Sequence, residues 1–297
     1  MPGPGHRFLD PDTLAAIGDL RLLARTVVEG FLAGEHPSPR PGPGVEFSQY
    51  RSYQPGDDPR RVDWTLFART DRFYVRESEI EQDVTVRLVL DASASMAHRD
   101  GAASKFEYAR RLAAALAYLV HRQGDRLALH LVQSGDWVEP LHLPPGRGLG
   151  RVLLPLERVE AAGRWPRGEE LALQLANRRE RELVVLISDL HQGGDEIVRA
   201  AELLRVSGHE VLVLELLGRN ELEFDFAGDL ELEDLETGET VRGHAATLRP
   251  GYLARLSEDL AARRWRLTGA GIGYELLRLD EPLDRALRRF LVGRGRL

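Results

Sequence analysis

Short apolar runs alternate with longer segments of helical periodicity from residue 83 onward. The runs that predict strands are Val84–Leu90, Arg126–Val132, Leu183–Ser188, Glu210–Leu217 and Ile272–Leu279. Helical patterns around residues 104–123, 149–159, 169–179, 196–206 and 252–266 lie between or beside these runs. Because strands covered on both faces by helices are apolar along their whole length, this alternation predicts an α/β fold with a mostly parallel sheet.

Two further parts are expected outside this alternation. Residues 1–82 predict a small N-terminal α+β region, with an opening helix, a Pro/Gly-rich linker at 37–44 and short strands. Residues 83–297 form the predicted main domain. Within it, two alternating runs joined by Thr237-Gly238 predict a β-hairpin inserted at about residues 219–249.

The charge distribution restricts the class of partner. The net charge of −7 gives no electrostatic reason to expect nucleic-acid binding. The inserted segment 219–249 holds 9 acidic and 3 basic residues, which nominates it as a second surface for a protein partner. Its alternative role is an acidic, solvated face. Lys105 is the only lysine among 40 basic residues, which we attribute to genome composition rather than to function.

Composition also indicates the cellular setting. The chain has no cysteine, which excludes disulfides and thiolate metal sites. No apolar run reaches the 18 residues expected of a membrane span, and the first residues do not resemble a signal peptide. A cytoplasmic protein is therefore expected.

Polar oxygens follow two of the predicted strands. Asp91, Ser93 and Ser95 alternate directly after the first apolar run, and Asp189 follows the run that ends at Ser188. Ligands of parallel sheets bind at the carboxyl ends of the strands. Carboxylate and hydroxyl oxygens suit Mg²⁺ or Mn²⁺, so we expect the four side chains to share one ion. The alternative is that they only cap loops and turns.

This arrangement resembles the von Willebrand factor A domain and its metal-ion-dependent adhesion site. Asp91, Ser93 and Ser95 match the Asp-x-Ser-x-Ser motif, and Asp189 matches the later aspartate. The resemblance implies a Rossmann-like sheet covered by helices on both faces. It also implies a threonine ligand, yet there is no threonine from Val86 to Glu236, which puts metal binding in doubt. Glu169 or Glu170 stands where that threonine is expected and is a candidate replacement.

The upstream region resembles the family called domain of unknown function 58. The residues that carry the resemblance are 51–60 (RSYQPGDDPR), 62–64 (VDW) and 68–70 (ART). In that family the signature precedes a von Willebrand A-like domain, and members are often encoded beside MoxR-type AAA+ ATPases. The resemblance therefore implies a protein partner, either such an ATPase or its client.

The same upstream segment has two physical interpretations. Arginines, carboxylates and aromatic rings are interleaved there, and guanidinium groups pair with carboxylates and stack on rings. One interpretation is an internal ion-pair network, which we favour; the other is a partner-recognition surface. The residues assigned to that surface are Arg51, Asp57, Asp58, Arg60, Trp64 and Arg69.

The function expected is a non-enzymatic protein-interaction module, since no nucleotide-binding loop, zinc-protease motif or nucleophile elbow occurs. One alternative is a metal-dependent hydrolase of phosphate esters, for which His98 and His191 are the nearest candidate bases. Another is a structural module whose metal site is vestigial, as the missing threonine permits.

Overall fold

The structure is a computed structural model that describes residues 20–35, 49–53, 64–70, 72–77, 85–101, 103–133, 136–137, 141–144, 148–166, 181–191, 194–284 and 286–288. The chain separates into two compact units. Residues 36–82 form the smaller unit, and residues 1–35 group with residues 83–297 in the larger one. The domain boundary at residue 82 stays a prediction.

The larger unit is built on a mixed sheet whose main strands are parallel. These strands are β3 (Thr85–Asp91), β6 (Arg126–Gln133), β9 (Glu182–Ser188), β10 (Glu210–Leu217) and β13 (Gly273–Arg278). Two short strands, β7 (Asp136–Trp137) and β8 (Leu141–Leu143), pair antiparallel with β6. A separate antiparallel pair is formed by β4 (Arg99–Asp100) and β5 (Ala103–Ser104). The α/β fold with a mostly parallel sheet is therefore confirmed.

The strand order places a switch point at the centre of the sheet. The order is β6-β3-β9-β10-β13, so the chain moves to one side of β3 and then returns to the other. Counted along the chain, this is the doubly wound order 2-1-3-4-5, in which the crevice between the first and third strands is the ordinary ligand position. Asp91 ends the first of these strands and Asp189 follows the third.

Helices cover both faces of the sheet. On one face lie α1 (Leu20–Glu35), α3 (Lys105–Gln123) and α4 (Leu149–Arg158), and on the other lie α5 (Glu196–Val206) and α7 (Ala245–Gly269). Strand β3 shows the division: Leu88 and Leu90 pack in the first core, and Val89 packs in the second. Both faces bury apolar surface. This burial is the main source of stability, at about 25 cal/mol for each Å² removed from water.

Helix α3 matches the helical pattern predicted around residues 104–123, and caps fix both of its ends. The Ser104 hydroxyl accepts the Glu107 N–H at 3.1 Å, and the Glu107 carboxylate accepts the Ser104 N–H at 2.8 Å, which is a capping box. At the other end Gly124 takes a φ of +82°, a conformation that glycine adopts without steric cost. These caps fix Lys105 as the first helical residue.

The inserted hairpin is confirmed. Strand β11 (Asp229–Glu233) pairs antiparallel with β12 (Thr240–His244), and Gly238 in the turn has a φ of +73°. The hairpin follows the short helix α6 (Arg219–Glu223). Helix α7 then starts at Ala245, earlier than the predicted residue 252, because the helix continues through Pro250 at the loss of one backbone hydrogen bond.

The smaller unit pairs β1 (Gln49–Ser52) antiparallel with β2 (Tyr74–Glu77), and α2 (Trp64–Thr70) lies between them in sequence. Its aromatic residues contact one another: the rings of Phe67 and Phe73 stack at 4.3 Å, and Trp64 packs edge-on against both. Among the helices that the structure describes, none is both long and apolar enough to cross a membrane.

Candidate functional site

The four residues predicted from the strand ends lie together at the switch point. Asp91, Ser93, Ser95 and Asp189 are all buried. The Ser93 N–H donates to Asp91 Oδ1 at 2.9 Å, and the Ser93 and Ser95 hydroxyls are 3.1 Å apart. Ser95 Oγ in turn donates to Asp189 Oδ1 at 3.1 Å. A continuous hydrogen-bond chain therefore joins the carboxyl ends of β3 and β9.

Ser188, which the sequence analysis did not single out, closes this chain from the other side. Its hydroxyl donates to Asp91 Oδ2 at 2.6 Å and accepts the Leu190 N–H at 2.9 Å. Leu190 has a φ of +53°, an uncommon conformation for a residue with a side chain. The strained turn is held because Ser188 and Asp189 each accept a backbone N–H two residues ahead.

Lys105 brings a positive charge into the same cluster. Its Nζ lies 2.9 Å from Asp189 Oδ2 and 2.7 Å from Glu221 Oε1, and its side chain is 3% exposed. Glu221 belongs to α6 and also accepts the Gly218 N–H at 2.8 Å. Burial lowers the pKa of Lys105, but the two carboxylates outweigh it and hold that pKa above its usual value. The ammonium thus stays charged and joins α3, β9 and α6.

The electrostatic environment of the two aspartates is unequal. Burial, and then the negative charge of Asp189, raise the pKa of Asp91 to about 7. Asp91 receives only neutral donors, from Ser93 and Ser188, whereas Asp189 faces the Lys105 ammonium. The pKa of Asp91 is raised because burial and a nearby like charge both disfavour its ionised form.

The tip of the acidic hairpin reaches this site. Burial, and then the negative charge of Asp189, raise the pKa of Glu236, which also lies near Ser95. Arg164 Nε donates to the Glu236 carbonyl at 2.9 Å, and Asp234 Oδ1 accepts the Glu236 N–H at 2.8 Å. The sequence analysis treated the hairpin and the strand ends as two surfaces; the structure places the tip and the strand ends side by side.

The described oxygens are a poor fit for a divalent ion. Both oxygens of Asp91 accept protein donors, and the Lys105 ammonium lies against Asp189 where an added cation would be repelled. Among the residues that the structure describes, no three Asp, Glu, His or Cys side chains come together as a metal-binding group. Glu169 and Glu170 lie outside the described residues. Binding of Mg²⁺ or Mn²⁺ stays a prediction.

The two candidate bases of the hydrolase alternative interact with helix α6 and with the hairpin. The ring of His98 contacts Asn220 Oδ1 at 3.1 Å and is 3.8 Å from the Glu221 carboxylate. His191 lies near the hairpin residues Asp234 and Glu236 and favours the ionised form of each carboxyl. Among the described residues, neither ring hydrogen-bonds to Asp91.

The predicted partner surface of the smaller unit is described only in part. Trp64 is 59% exposed and Arg69 is also exposed, and the backbone of Arg51 lies in β1. Asp57, Asp58 and Arg60 lie outside the described residues. Both interpretations of this segment stay predictions.

The solved structures that this chain is similar to are distant in sequence. BatB from Bacteroides thetaiotaomicron is 17% identical, covering 71% of this chain and 99% of its own, with a TM-score of 0.44. An aerotolerance-related membrane protein from Bacteroides fragilis is 17% identical, covering 72% and 100%, with a TM-score of 0.46. The SpRpn10 VWA domain is 12% identical, covering 69% and 93%, with a TM-score of 0.40.

Sequence relatives are closer. Uncharacterized protein Rv1480 of Mycobacterium tuberculosis is 31% identical over 293 residues, which cover 97% of this chain and 91% of the relative. Uncharacterized protein Mb1516 of Mycobacterium bovis matches to the same extent. The family model described as Protein of unknown function DUF58 matches residues 49–261, which include the signature segment, the strand-end aspartates and the hairpin. The chain therefore belongs to the DUF58 family.

Proposed function

We propose that this chain is a non-enzymatic protein-interaction module that docks a protein partner at the switch-point edge of its sheet. The observation that carries the proposal is the buried network of Asp91, Ser93, Ser95 and Asp189, with the hairpin tip beside it. A doubly wound sheet binds ligands at this edge. The network gives the edge a fixed shape, and the tip of the hairpin lies beside it.

Charge indicates what kind of partner surface fits. Segment 219–249 carries 9 acidic and 3 basic residues, and its tip adds Glu236 to an edge that already holds Asp91 and Asp189. Complementary potentials raise association rates and exclude wrong partners. We therefore expect the docking edge to bind a basic surface of the partner. This binding should weaken as salt is added.

The identity of the partner rests on the family resemblance. Members of this family are often encoded beside MoxR-type AAA+ ATPases, so the partner in this proposal is such an ATPase or its client. A cytoplasmic location belongs to the same proposal, since an AAA+ ATPase uses ATP. A divalent ion is not required for docking in this account, because Lys105 already supplies a positive charge at Asp189.

Catalysis is the less favoured function. A hydrolase needs a base within hydrogen-bond reach of the reacting group. The ring of His98 is instead engaged by Asn220, and Asp91 is engaged by Ser93 and Ser188. These contacts suit a rigid binding edge better than a proton relay.

Affinity purification from native lysate of the source organism tests the proposal. The bait is the full chain, washed with a chelator in one arm and with Mg²⁺ in the other. We expect a MoxR-type ATPase or its client to be enriched at least tenfold over a variant that combines Ser93→Ala with Ser95→Ala, in both arms. Equal recovery by the variant would contradict docking at this edge, and recovery only with Mg²⁺ would show that docking needs the ion.

A further inference from the structure

Lys105 is unusual in the composition of this chain. It is the only lysine among 40 basic residues, so arginine serves at every other basic position. Lysine is also among the residues least often fully buried, and an unpaired buried ammonium is costly. Yet the Lys105 side chain is 3% exposed and lies inside the strand-end cluster. Its position therefore needs a physical reason.

The contacts of Lys105 supply that reason. Its ammonium bridges Asp189 Oδ2 at 2.9 Å and Glu221 Oε1 at 2.7 Å. These carboxylates come from two different elements, the end of β9 and helix α6, and neither is close to Lys105 in sequence. An ammonium is a compact charge whose three N–H donors can be divided between two acceptors, whereas a guanidinium is a larger planar fork. The compact ammonium therefore suits a buried position between two carboxylates from different elements.

The charges around the ammonium explain why a cation is needed there. Asp91 and Asp189 are both buried, their hydroxyl partners Ser93 and Ser95 are neutral, and Glu221 and Glu236 add further negative charge. Without a positive charge, the aspartates would repel each other at the switch point. Lys105 is the only buried basic side chain that the structure places on these carboxylates among the described residues.

We propose that the Lys105 ammonium is the resident cation of the switch-point site, so that the strand-end network assembles without a divalent ion. Lys105 is thus a positioning residue: it holds Asp189 for its bond with Ser95 and fixes α6 against the start of α3. Lys105 lies at the same edge as the proposed docking site, but its role in assembling the network needs no partner. Its test is therefore independent of the docking test.

Melting temperatures of the full chain test the inference. The proteins are the wild type, Lys105→Met, Asp189→Asn, the double variant Lys105→Met/Asp189→Asn, and Arg122→Met as a control on the exposed surface of the same helix. Each protein is measured in chelator, in 5 mM Mg²⁺ and in 5 mM Mn²⁺. The added metal is in about tenfold excess or more over any metal already present in the protein sample.

We expect the metals to shift the wild-type melting temperature by less than about 1 °C. Lys105→Met should lower it by roughly 10 °C, since it leaves buried carboxylates without their cation. The double variant should recover at least half of that loss, because Asp189→Asn removes the charge that was left unpaired. Arg122→Met should melt within about 2 °C of the wild type.

Two results would overturn the inference. One is a wild-type melting temperature that rises by more than about 3 °C with either metal, which would make the metal the resident cation. The other is a double variant that is no more stable than Lys105→Met, which would show that the lysine acts through its packing alone. If Lys105→Met fails to fold, the double variant is compared with Asp189→Asn instead. Folding of the double variant then supports the charge pairing.

Discussion

The Lys105 ammonium and the Asp189 carboxylate form a buried ion pair, 2.9 Å apart, at the point where the strand order of the sheet reverses. The pair joins the first residue of α3 to the residue that follows β9. A buried pair is not by itself a strong stabiliser, because desolvation offsets the Coulomb attraction. It holds the end of β9 against the start of α3 and so fixes one arrangement of the strand-end network.

Ser188→Ala should destabilise the fold although it removes only one oxygen. The hydroxyl donates to Asp91 at 2.6 Å and accepts the Leu190 N–H at 2.9 Å, and both partners are buried. Leaving them without a hydrogen bond should lower the free energy of unfolding by about 2–3 kcal/mol. Urea denaturation measures this loss.

Ser207→Ala is the matched control, because Ser207 is exposed at the end of α5. It should change the free energy of unfolding by less than about 0.5 kcal/mol. Equal stability of Ser188→Ala and Ser207→Ala would mean that the bonds at Ser188 do not hold the strand ends together.

The Ser104 cap should account for a separate, smaller part of the stability. Ser104→Ala removes the acceptor of the Glu107 N–H and should lower the free energy of unfolding by about 1 kcal/mol. Because the cap sits one residue before Lys105, hydrogen exchange at the first turn of α3 should accelerate in the same variant. Unchanged exchange there would contradict a role of the cap in positioning Lys105.

Local sequence patterns predict much of this fold, and the reason is visible in α3. Ser104, Glu107 and Gly124 act through bonds to residues within a few positions, so their types alone indicate where the helix begins and ends. The strand-end position of Asp91 and Asp189 follows in the same way from the apolar runs before them. The sheet rule then brings the two aspartates to one edge.

The residues that the sequence analysis missed act over long separations. Lys105 contacts Asp189 across 84 positions, and Ser188 contacts Asp91 across 97. Nothing in the neighbourhood of a lysine or a serine signals such a partner. The single available signal was composition: the only lysine of the chain is the one buried in the site. Helix α7 was predicted to start at residue 252, but it begins at Ala245 and continues through Pro250.

Glu215 should impose a pH dependence on stability. Burial raises its pKa from 4.5 to about 6, against the opposing effects of Arg263 and the Tyr274 hydroxyl, with smaller contributions from Asp189 and Lys105. Between these pH values the folded state binds more protons than the unfolded state. The free energy of unfolding should therefore fall by about 2 kcal/mol as the pH rises from below 4.5 to above 6.

Glu215→Gln, which cannot titrate, is the comparison for this prediction. Denaturation midpoints at pH 4, 5, 6 and 7 should show a shallower decline in the variant than in the wild type across the same window. If both proteins show the same slope, Glu215 does not titrate with a raised pKa in the folded state.

Removal of the hairpin should separate folding from docking. The Ala245 N–H donates to the Gly228 carbonyl at 2.8 Å, so the two ends of residues 229–244 are adjacent and a short Gly-Ser link can replace them. We expect the shortened chain to melt within about 5 °C of the wild type, since among the described strands β11 and β12 pair only with each other. Binding of the captured partner should weaken at least tenfold.

The salt dependence of that binding provides the control. Wild-type affinity should fall as salt is raised from about 50 to 500 mM, and the fall should be smaller without the acidic hairpin. Affinity and salt dependence that are unchanged by the deletion would show that the hairpin is only a solvated face.

Site-specific photo-crosslinking tests the central claim, that a protein partner docks at the switch-point edge. A photoreactive phenylalanine analogue is placed at Thr237, which is exposed in the hairpin turn, or at Arg126, which is exposed at the start of β6 and so at the opposite edge of the sheet. In native lysate the account predicts a crosslinked protein from position 237 and at most one tenth as much from position 126. Equal yields from both positions, or a crosslink from position 126 alone, would contradict it.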